Sequence, residues 1–455
     1  MIFPYIWYLF IISCIILYIT NIDQIYSLID IELLSFVNII WNLPFYFLYE
    51  IIFFSLIIFD NKKERKHNIN KVQTFNNLAI IIPVHKPSDG FYDTLFQNFQ
   101  IFENNIWVAE NDNNIERNYD LQQYCQSYGI NYRHYPIANK ANSILETVRE
   151  IKQKHSYIKN ILLLDDDTIL QNDFFIREDL LKDKTVAGYC CSIGVNKNEK
   201  FNLWEHLIDF EYRAISIRNR SRNYQTLKFL HGIVCIYKID ALLDIYKWNC
   251  CLPGGLPFGE DAFAGLQARM IGYKMKHDSY NTVLTYCPNK LLNFGIQRTQ
   301  GYGASSIFKQ RVLRWYLSWP RRFFHEVSLF LFYDTGSWLG NILYRIDSIW
   351  YLYILYIAIS WLVFSGFIFS QKNFLNFIYI HVCFYIINII SSYSRIFLMN
   401  SKEKENIKWF IPLLYPFFLI LVLFLYSFSF IYSISYFIPF VRIDYNKVYS
   451  KISYE

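Results

Sequence analysis

Three rhythms of apolar and polar positions divide the chain. Between Leu78 and Asp167, short unbroken apolar runs alternate with stretches of helical spacing. "LAIIIPVH" (Leu78–His85) reads as a strand buried on both faces and closed by proline. "DTLFQNFQIF" (Asp93–Phe102) has helical spacing, with Asp93 as a cap. "NIWVAENDNN" predicts a second strand ending in an acidic turn, and "NYDLQQYCQSYG" a helix stopping at Gly129. "INYRHYP" is the third strand, "ANSILETVREIKQKH" an amphipathic helix from about Ala141, and "NILLLDDD" the fourth strand. This order predicts an α/β domain on a mostly parallel sheet, whose ligands sit at the carboxyl ends of the strands.

The second rhythm is unbroken hydrophobicity at both ends. Ile2–Thr20 is almost wholly apolar and long enough to cross a bilayer. It lacks the basic start and small-residue cleavage site of a signal peptide, the competing reading. A second candidate span lies within Leu33–Phe59, and the basic "NKKERKH" behind it marks the cytoplasmic side. Ile349–Phe369 and Phe374–Phe397 predict two further spans. Phe410–Phe440, with Pro412, Pro416 and Pro439, is either one tilted helix or a hairpin of two short ones. The expected organisation is an N-terminal transmembrane region of two spans (1–60), a cytoplasmic catalytic domain (75–320), a C-terminal transmembrane region of three or four spans (345–441) and a tail (442–455).

The third rhythm is basic and aromatic. Phe201–Asn223 and Phe308–Phe324 interleave arginine with large apolar side chains. Both read as interfacial amphipathic helices between the soluble domain and the membrane, and for Phe201–Asn223 a surface helix between strands is an equal alternative.

Composition supports this division. Aromatics reach 20 % of the 455 residues, charged residues only 18 %, and the net charge is +6. The nine cysteines include the adjacent pairs Cys190-Cys191 and Cys250-Cys251 but no CxxC or zinc spacing, which suits structural thiols in a reducing compartment. No GxGxxG follows the first strand and no GxxxxGKS occurs, so dinucleotide and P-loop sites are not expected. The flanking spans argue against nucleic acid as a partner.

Three constellations carry candidate chemistry. Asp165-Asp166-Asp167 closes the fourth strand. Alternation along a strand turns Asp165 and Asp167 to one side, an oxygen-only pair suited to Mg²⁺ or Mn²⁺, with Asp166 turned away. "GGLPFGED" delivers Glu260 and Asp261 to the start of a helix. There a carboxylate is favoured by the dipole, whether as a cap or as a general base. In "RVLRW", Arg311 and Arg314 suit a diphosphate and Trp315 a sugar face.

The order of these motifs resembles the family 2 (GT-A fold) inverting glycosyltransferases over roughly residues 78–316. It is most similar to the membrane-integrated branch containing cellulose, chitin and hyaluronan synthases and ceramide glucosyltransferase. The resemblance implies a UDP-sugar donor bound by Pro83, Glu110 or Asp112, Lys140, Asp165, Asp167, Arg311 and Arg314. It places a divalent Mg²⁺ or Mn²⁺ on Asp165 and Asp167. His231, Gly232 (in "FLHGIVCIY") and Trp315 fall beside the acceptor, and Asp261, preceded by Glu260, matches the catalytic base. Two departures stand out: Glu110-Asn111-Asp112 replaces the usual aspartate pair, and Arg311 stands where the QxxRW pattern has glutamine. The expected reaction is sugar transfer to a growing β-linked polysaccharide or, as the alternative, to a membrane lipid.

Overall fold

The computed structural model describes residues 51–58, 77–85, 87, 89–102, 105–111, 118–136, 139–249, 259–293, 306–315, 319–349, 374–399, 403–404 and 406–437. The first candidate span and most of the second, with Ile349–Phe369 beyond its first residue, lie outside them.

The first half follows the expected alternation. Strand β1 (Leu78–Val84) leads to helix α1 (Asp89–Phe102), β2 (Ile106–Asn111), α2 (Tyr119–Ser127), β3 (Asn131–Tyr135), α3 (Lys140–Lys154) and β4 (Asn160–Leu164). Local chemistry sets several boundaries. The Asn118 side chain accepts from the Leu121 amide and that of Asn139 from the Asn142 amide, each satisfying a free N–H of a first turn. After α2 the chain turns at Gly129, whose φ of +68° is one that glycine adopts without penalty. Helix α1 begins at Asp89, a turn before the expected Asp93.

The second half adds β5 (Thr168–Ile169), the short α4 (Glu178–Leu181), β6 (Val186–Val195), α5 (Leu203–Ser221), β7 (Val234–Lys238), α6 (Ile239–Asn249), α7 (Glu260–Met270) and β8 (Lys274–Thr285). The single sheet runs β3-β2-β1-β4-β7-β6-β8-β5. β1, β2, β3 and β4 are parallel and β6 is parallel to β8, but β7 runs antiparallel to both β4 and β6, and β5 antiparallel to β8. The sheet is therefore mixed but mostly parallel, as expected, with only β7 and β5 running against the other six strands. Runs such as "VAGYCCSIGV" are apolar because both faces are covered, and that requirement is the same for either strand direction.

Two cores cover the faces. Along β1, Leu78, Ile80, Ile82 and Val84 join one core with Leu95 of α1 and Phe210 of α5; Ala79 and Ile81 join the other with Ile144, Val148 and Ile151 of α3. The alternation of a strand thus assigns each side chain to one layer.

Beyond the sheet come α8 (Ile307–Gln310), a π-helical turn (Arg311–Trp315), α9 (Trp319–Phe332), α10 (338–349), α11 (Phe374–Leu398) and α12 (Ile411–Phe437). Among the described residues no helix is long and apolar enough to cross a membrane; parts of α11 and α12 fall outside the described side chains. Helix α5, expected at a membrane surface, is packed within the domain. Phe210 meets Tyr415 of α12 edge to face at 4.7 Å, and Glu211, expected on the polar side, is buried against Arg311. Arg322 of α9 is likewise buried, its guanidinium 6.0 Å from the Phe263 ring, rather than placed at lipid phosphate.

Candidate active site

β4 ends at Leu164, so the three aspartates form a turn and not a strand end; the Thr168 amide closes it on the Asp165 carbonyl at 3.1 Å. The alternation expected to pair Asp165 with Asp167 therefore does not apply. The Asp165 side chain is about a quarter exposed and accepts from the Lys140 ammonium at 2.5 Å. Asp167 is buried, its Oδ1 accepting from the Thr285 hydroxyl at 3.0 Å. Asn98 of α1 fastens the far side of the turn by donating to the Thr168 carbonyl and accepting from the Leu170 amide. Asp166 is half-buried and also engaged.

A second turn lies alongside. The Asp165 amide donates to the Ile233 carbonyl at 3.0 Å, which draws His231 and Gly232, just ahead of β7, next to the aspartates. The Gly232 amide in turn donates to Asp261 Oδ2 at 3.1 Å. Lys140, first residue of α3, completes the group with a second ion pair to Glu260 Oε1 at 3.0 Å. A Cβ on Gly232 would stand 3.6 Å from each of Asp261, Glu260 and Lys140, so this glycine lies where three motifs meet. The expected residues Lys140, Asp165, Gly232, Glu260 and Asp261 are thus brought together from four separate segments.

Their electrostatics differ. Burial, reinforced by the neighbouring Glu260 charge, raises Asp261 to about 6, against the pull of Lys140 and of two backbone amides. For Lys140, burial opposes the charge, but Asp165 and Glu260 outweigh it and hold the ammonium well above the ordinary lysine value. His231 is pushed down to about 4 by burial and is neutral. Its Nε2 lies 2.9 Å from the Cys191 carbonyl, which fixes the proton there, and its buried Nδ1 has no partner among the described residues.

Other expected residues are placed differently. Pro83 is buried in β1. Glu110 is buried and accepts from the Tyr132 hydroxyl and, at 3.4 Å, the Asn118 amide. Asp112 and the Arg314 side chain lie outside what is described. Arg311, expected at the donor, is buried with its guanidinium on Glu211 and 4.2 Å from the Trp315 ring. Trp315 is half-buried beside Tyr212.

Sequence reading missed the support behind Asp261. Arg269, at the far end of α7, makes two hydrogen bonds to Glu326 of α9, at 2.5 and 2.7 Å, and one to the Tyr344 hydroxyl of α10 at 2.9 Å. Gly265 lets α7 rest directly on Phe229, where a Cβ would come within 2.4 Å of the Phe229 backbone. Phe229 belongs to the segment that continues into His231 and Gly232, so one contact fixes the helix and the turn together. The available signal was a lone carboxylate, Glu326, in the otherwise apolar "EVSLFLF".

The carboxylates present an oxygen-only donor set. Among the described residues no three His, Cys, Asp or Glu side chains gather as a metal-holding group. Asp165, the carboxylate of the turn that stays open to solvent, is an oxygen donor of the kind taken by a hard cation that keeps waters and shares phosphate oxygens.

Residues 160–365, which contain the aspartate turn, the Glu260–Asp261 helix start and the Arg311–Trp315 turn, match the family model described as "Glycosyl transferase family group 2". No curated protein matches the chain at a significant level. Solved structures with similarity include GalNAc-T7 with UDP, GalNAc and Mn²⁺ (11 % identity, TM-score 0.35, 60 % of this chain and 55 % of that one). Others are S. aureus TarS (10 %, 0.34, 79 % and 55 %) and a cytidylyltransferase from Leptospira borgpetersenii serovar Hardjo-bovis (13 %, 0.26, 45 % and 76 %). This chain thus spans about half the length of the first two, and likenesses at these TM-scores say nothing about its activity. The mixed α/β sheet and the match over residues 160–365 both support a family 2-like glycosyltransferase domain of the GT-A type.

Proposed function

We propose that the protein is a membrane-bound inverting glycosyltransferase that moves a sugar from a UDP-sugar to a hydroxyl of a growing β-linked polysaccharide. The observation that carries this reading is Asp261, a carboxylate at a helix start beside the Lys140–Asp165 pair, raised to about 6. A group with that value is ionised at neutral pH yet basic enough to accept a hydroxyl proton. As the acceptor oxygen bonds to the anomeric carbon, the bond to the diphosphate breaks on the opposite face. The electron pair leaves with UDP, and the proton goes to Asp261. An α-linked donor gives a β-linked product.

Lys140 offers its ammonium to the diphosphate, and the Gly232 amide holds the Asp261 carboxylate in place. The neutral His231 offers Nδ1 as an acceptor beside the incoming hydroxyl. Trp315, gripped by Arg311, offers an aromatic face to the acceptor sugar. Asp165 and Asp167 would hold Mg²⁺ or Mn²⁺, which when bound supplies charge neutralisation for the leaving diphosphate.

Membrane attachment is proposed from the apolar ends of the chain, with a cytoplasmic catalytic domain. It is supported by the exposed side chains of Val382, Ile386 and Ile390, which share one face of α11.

The test incubates membranes containing the protein with labelled UDP-glucose, UDP-GlcNAc or UDP-glucuronate and Mn²⁺. Label in a high-mass product supports the polysaccharide reading. Label extracting with lipid moves the acceptor to a membrane lipid, and absence of transfer from every donor by the folded protein overturns the reading.

A further inference from the structure

The Lys140 ammonium occupies an unusual position. It touches Asp165 at 2.5 Å and Glu260 at 3.0 Å, so it bridges the carboxylate of the aspartate turn and that of the α7 start. With Asp261 adjoining, three acidic side chains surround one cation. Both lysine contacts are only part-buried, 29 % of the Lys140 side chain and 27 % of Asp165 remaining exposed, so solvent and ligands reach this pair. By contrast, Asp167 sits deeper, its Oδ1 on the Thr285 hydroxyl. Asp165 is thus the accessible oxygen donor of the turn, and Lys140 is already on it.

Lys140 already holds Asp165 Oδ1, and a divalent cation brought to the same carboxylate would stand within a few ångströms of the ammonium. Like charges a few ångströms apart repel, and each would lose the other's gain. We propose that Lys140 is the resident cation of this site and that a divalent metal gains Asp165 only as Lys140 leaves it. A nucleoside diphosphate supplies the departing ammonium with a new anionic partner. Lys140 thereby makes the donor-free site a poor metal site and couples metal capture to donor binding. Glu260 serves as the second anchor that the ammonium keeps while it moves. The coupling is reciprocal: by the factor that bound nucleotide tightens metal binding, bound metal tightens nucleotide binding. This deepens the glycosyltransferase reading by assigning a regulation to its donor site, and it rests on that reading for the identity of the donor.

The local structure favours a clean experiment. Lys140 is the first residue of α3, and the helix is capped by Asn139 independently of the lysine side chain. Lys140→Met and Lys140→Gln should therefore fold, which thermal melting checks. Binding of Mn²⁺ alone to the full-length protein is measured by the loss of its free-ion electron paramagnetic resonance signal, then repeated with UDP present. The expected result is at least tenfold tighter Mn²⁺ binding by both variants without UDP, and a smaller tightening on UDP addition than in the unmodified protein. Lys140→Arg, which keeps a cation, should stay as weak as the unmodified protein. Adding Asp165→Asn to Lys140→Met should abolish the gain. Equal Mn²⁺ affinity, within twofold, in the folded Met, Gln and unmodified proteins overturns the proposal, as does a gain that survives Asp165→Asn. Neither result depends on sugar transfer, so a chain that transfers sugar but fails this test refutes the coupling alone.

Discussion

Helix α7 carries a charged cluster at each end, and the two behave oppositely. At its start, Glu260 and Asp261 face Lys140, with one cation among several acids and part of the group open to solvent. At its end, Arg269 and Glu326 are nearly inaccessible and bonded through the two terminal guanidinium nitrogens, with the Tyr344 hydroxyl completing the contact. Burial raises Asp261 to about 6, helped by Glu260. Burial would also raise Glu326, but the charge and hydrogen bonds of Arg269 override it and hold the carboxyl at about 2. The same residue class on neighbouring elements is thus set to titrate in one place and kept ionised in the other. What differs is whether each acid has its own fixed cation. A deficit of cations makes a proton acceptor, and a matched pair makes a strut.

The strut continues outward. Asp347, fully buried in α10, accepts from Arg222 at 2.8 Å and lies 3.8 Å from Lys228, whose ammonium sits over the Tyr344 ring at 3.9 Å. Lys228 immediately precedes Phe229, against which Gly265 packs. The buried network therefore holds both α7 and the segment that presents His231 and Gly232.

The largest expected effect is on the open end. Asp261→Asn should reduce transfer by about 10²–10⁴-fold while UDP binding persists, as loss of a general base does; assays of turnover and of UDP affinity on one preparation check this. At the closed end, Glu326→Leu strands Arg269 and should destabilise the fold by about 3–5 kcal/mol, whereas Arg269→Met with Glu326→Leu should recover most of that loss. Denaturant melts of the two variants decide whether the pair is a strut.

Next comes pH. Because the Asp261 value is raised, its base form is lost as pH falls through about 6, so kcat/KM should drop about tenfold per unit below that point. Glu326 has the opposite sign. Its depressed value adds stability above the ordinary glutamate range, lost only as pH falls toward about 2. Activity should therefore fail on acidification well before the strut does, which parallel rate and melting profiles would show. Gly265→Ala should cost about 1–3 kcal/mol by forcing α7 off Phe229, read as a lowered melting temperature. The smallest effect is expected for Asp166→Ala, with transfer within about threefold of the unmodified protein, far milder than Asp165→Ala in the same assay.

Much of the site was legible because its signals are local. The run before Asp165 and the glycine-rich approach to Glu260 each lie within a few residues of what they predict. The part that misled was also local reasoning, carried one step too far. Strand alternation was extended through Asp167, although β4 had already ended at Leu164 and a turn set the side-chain directions. The buried partner of Arg311 was also out of reach of local reasoning: Glu211 comes from α5, one hundred residues earlier.

The sequence by itself determined the β1-to-β4 alternation, the turn of aspartates after β4 and the helix start at Glu260, since each follows from burial periodicity, turn chemistry or capping within one segment. Tertiary structure alone decided the antiparallel entry of β7, the partners of Arg311 and Arg269, and the bridging of Asp165 and Glu260 by Lys140. Charge pairing between distant segments leaves no periodic trace in a chain. The ionisation of Asp261, on which the proposed chemistry depends, is set by that pairing and by burial.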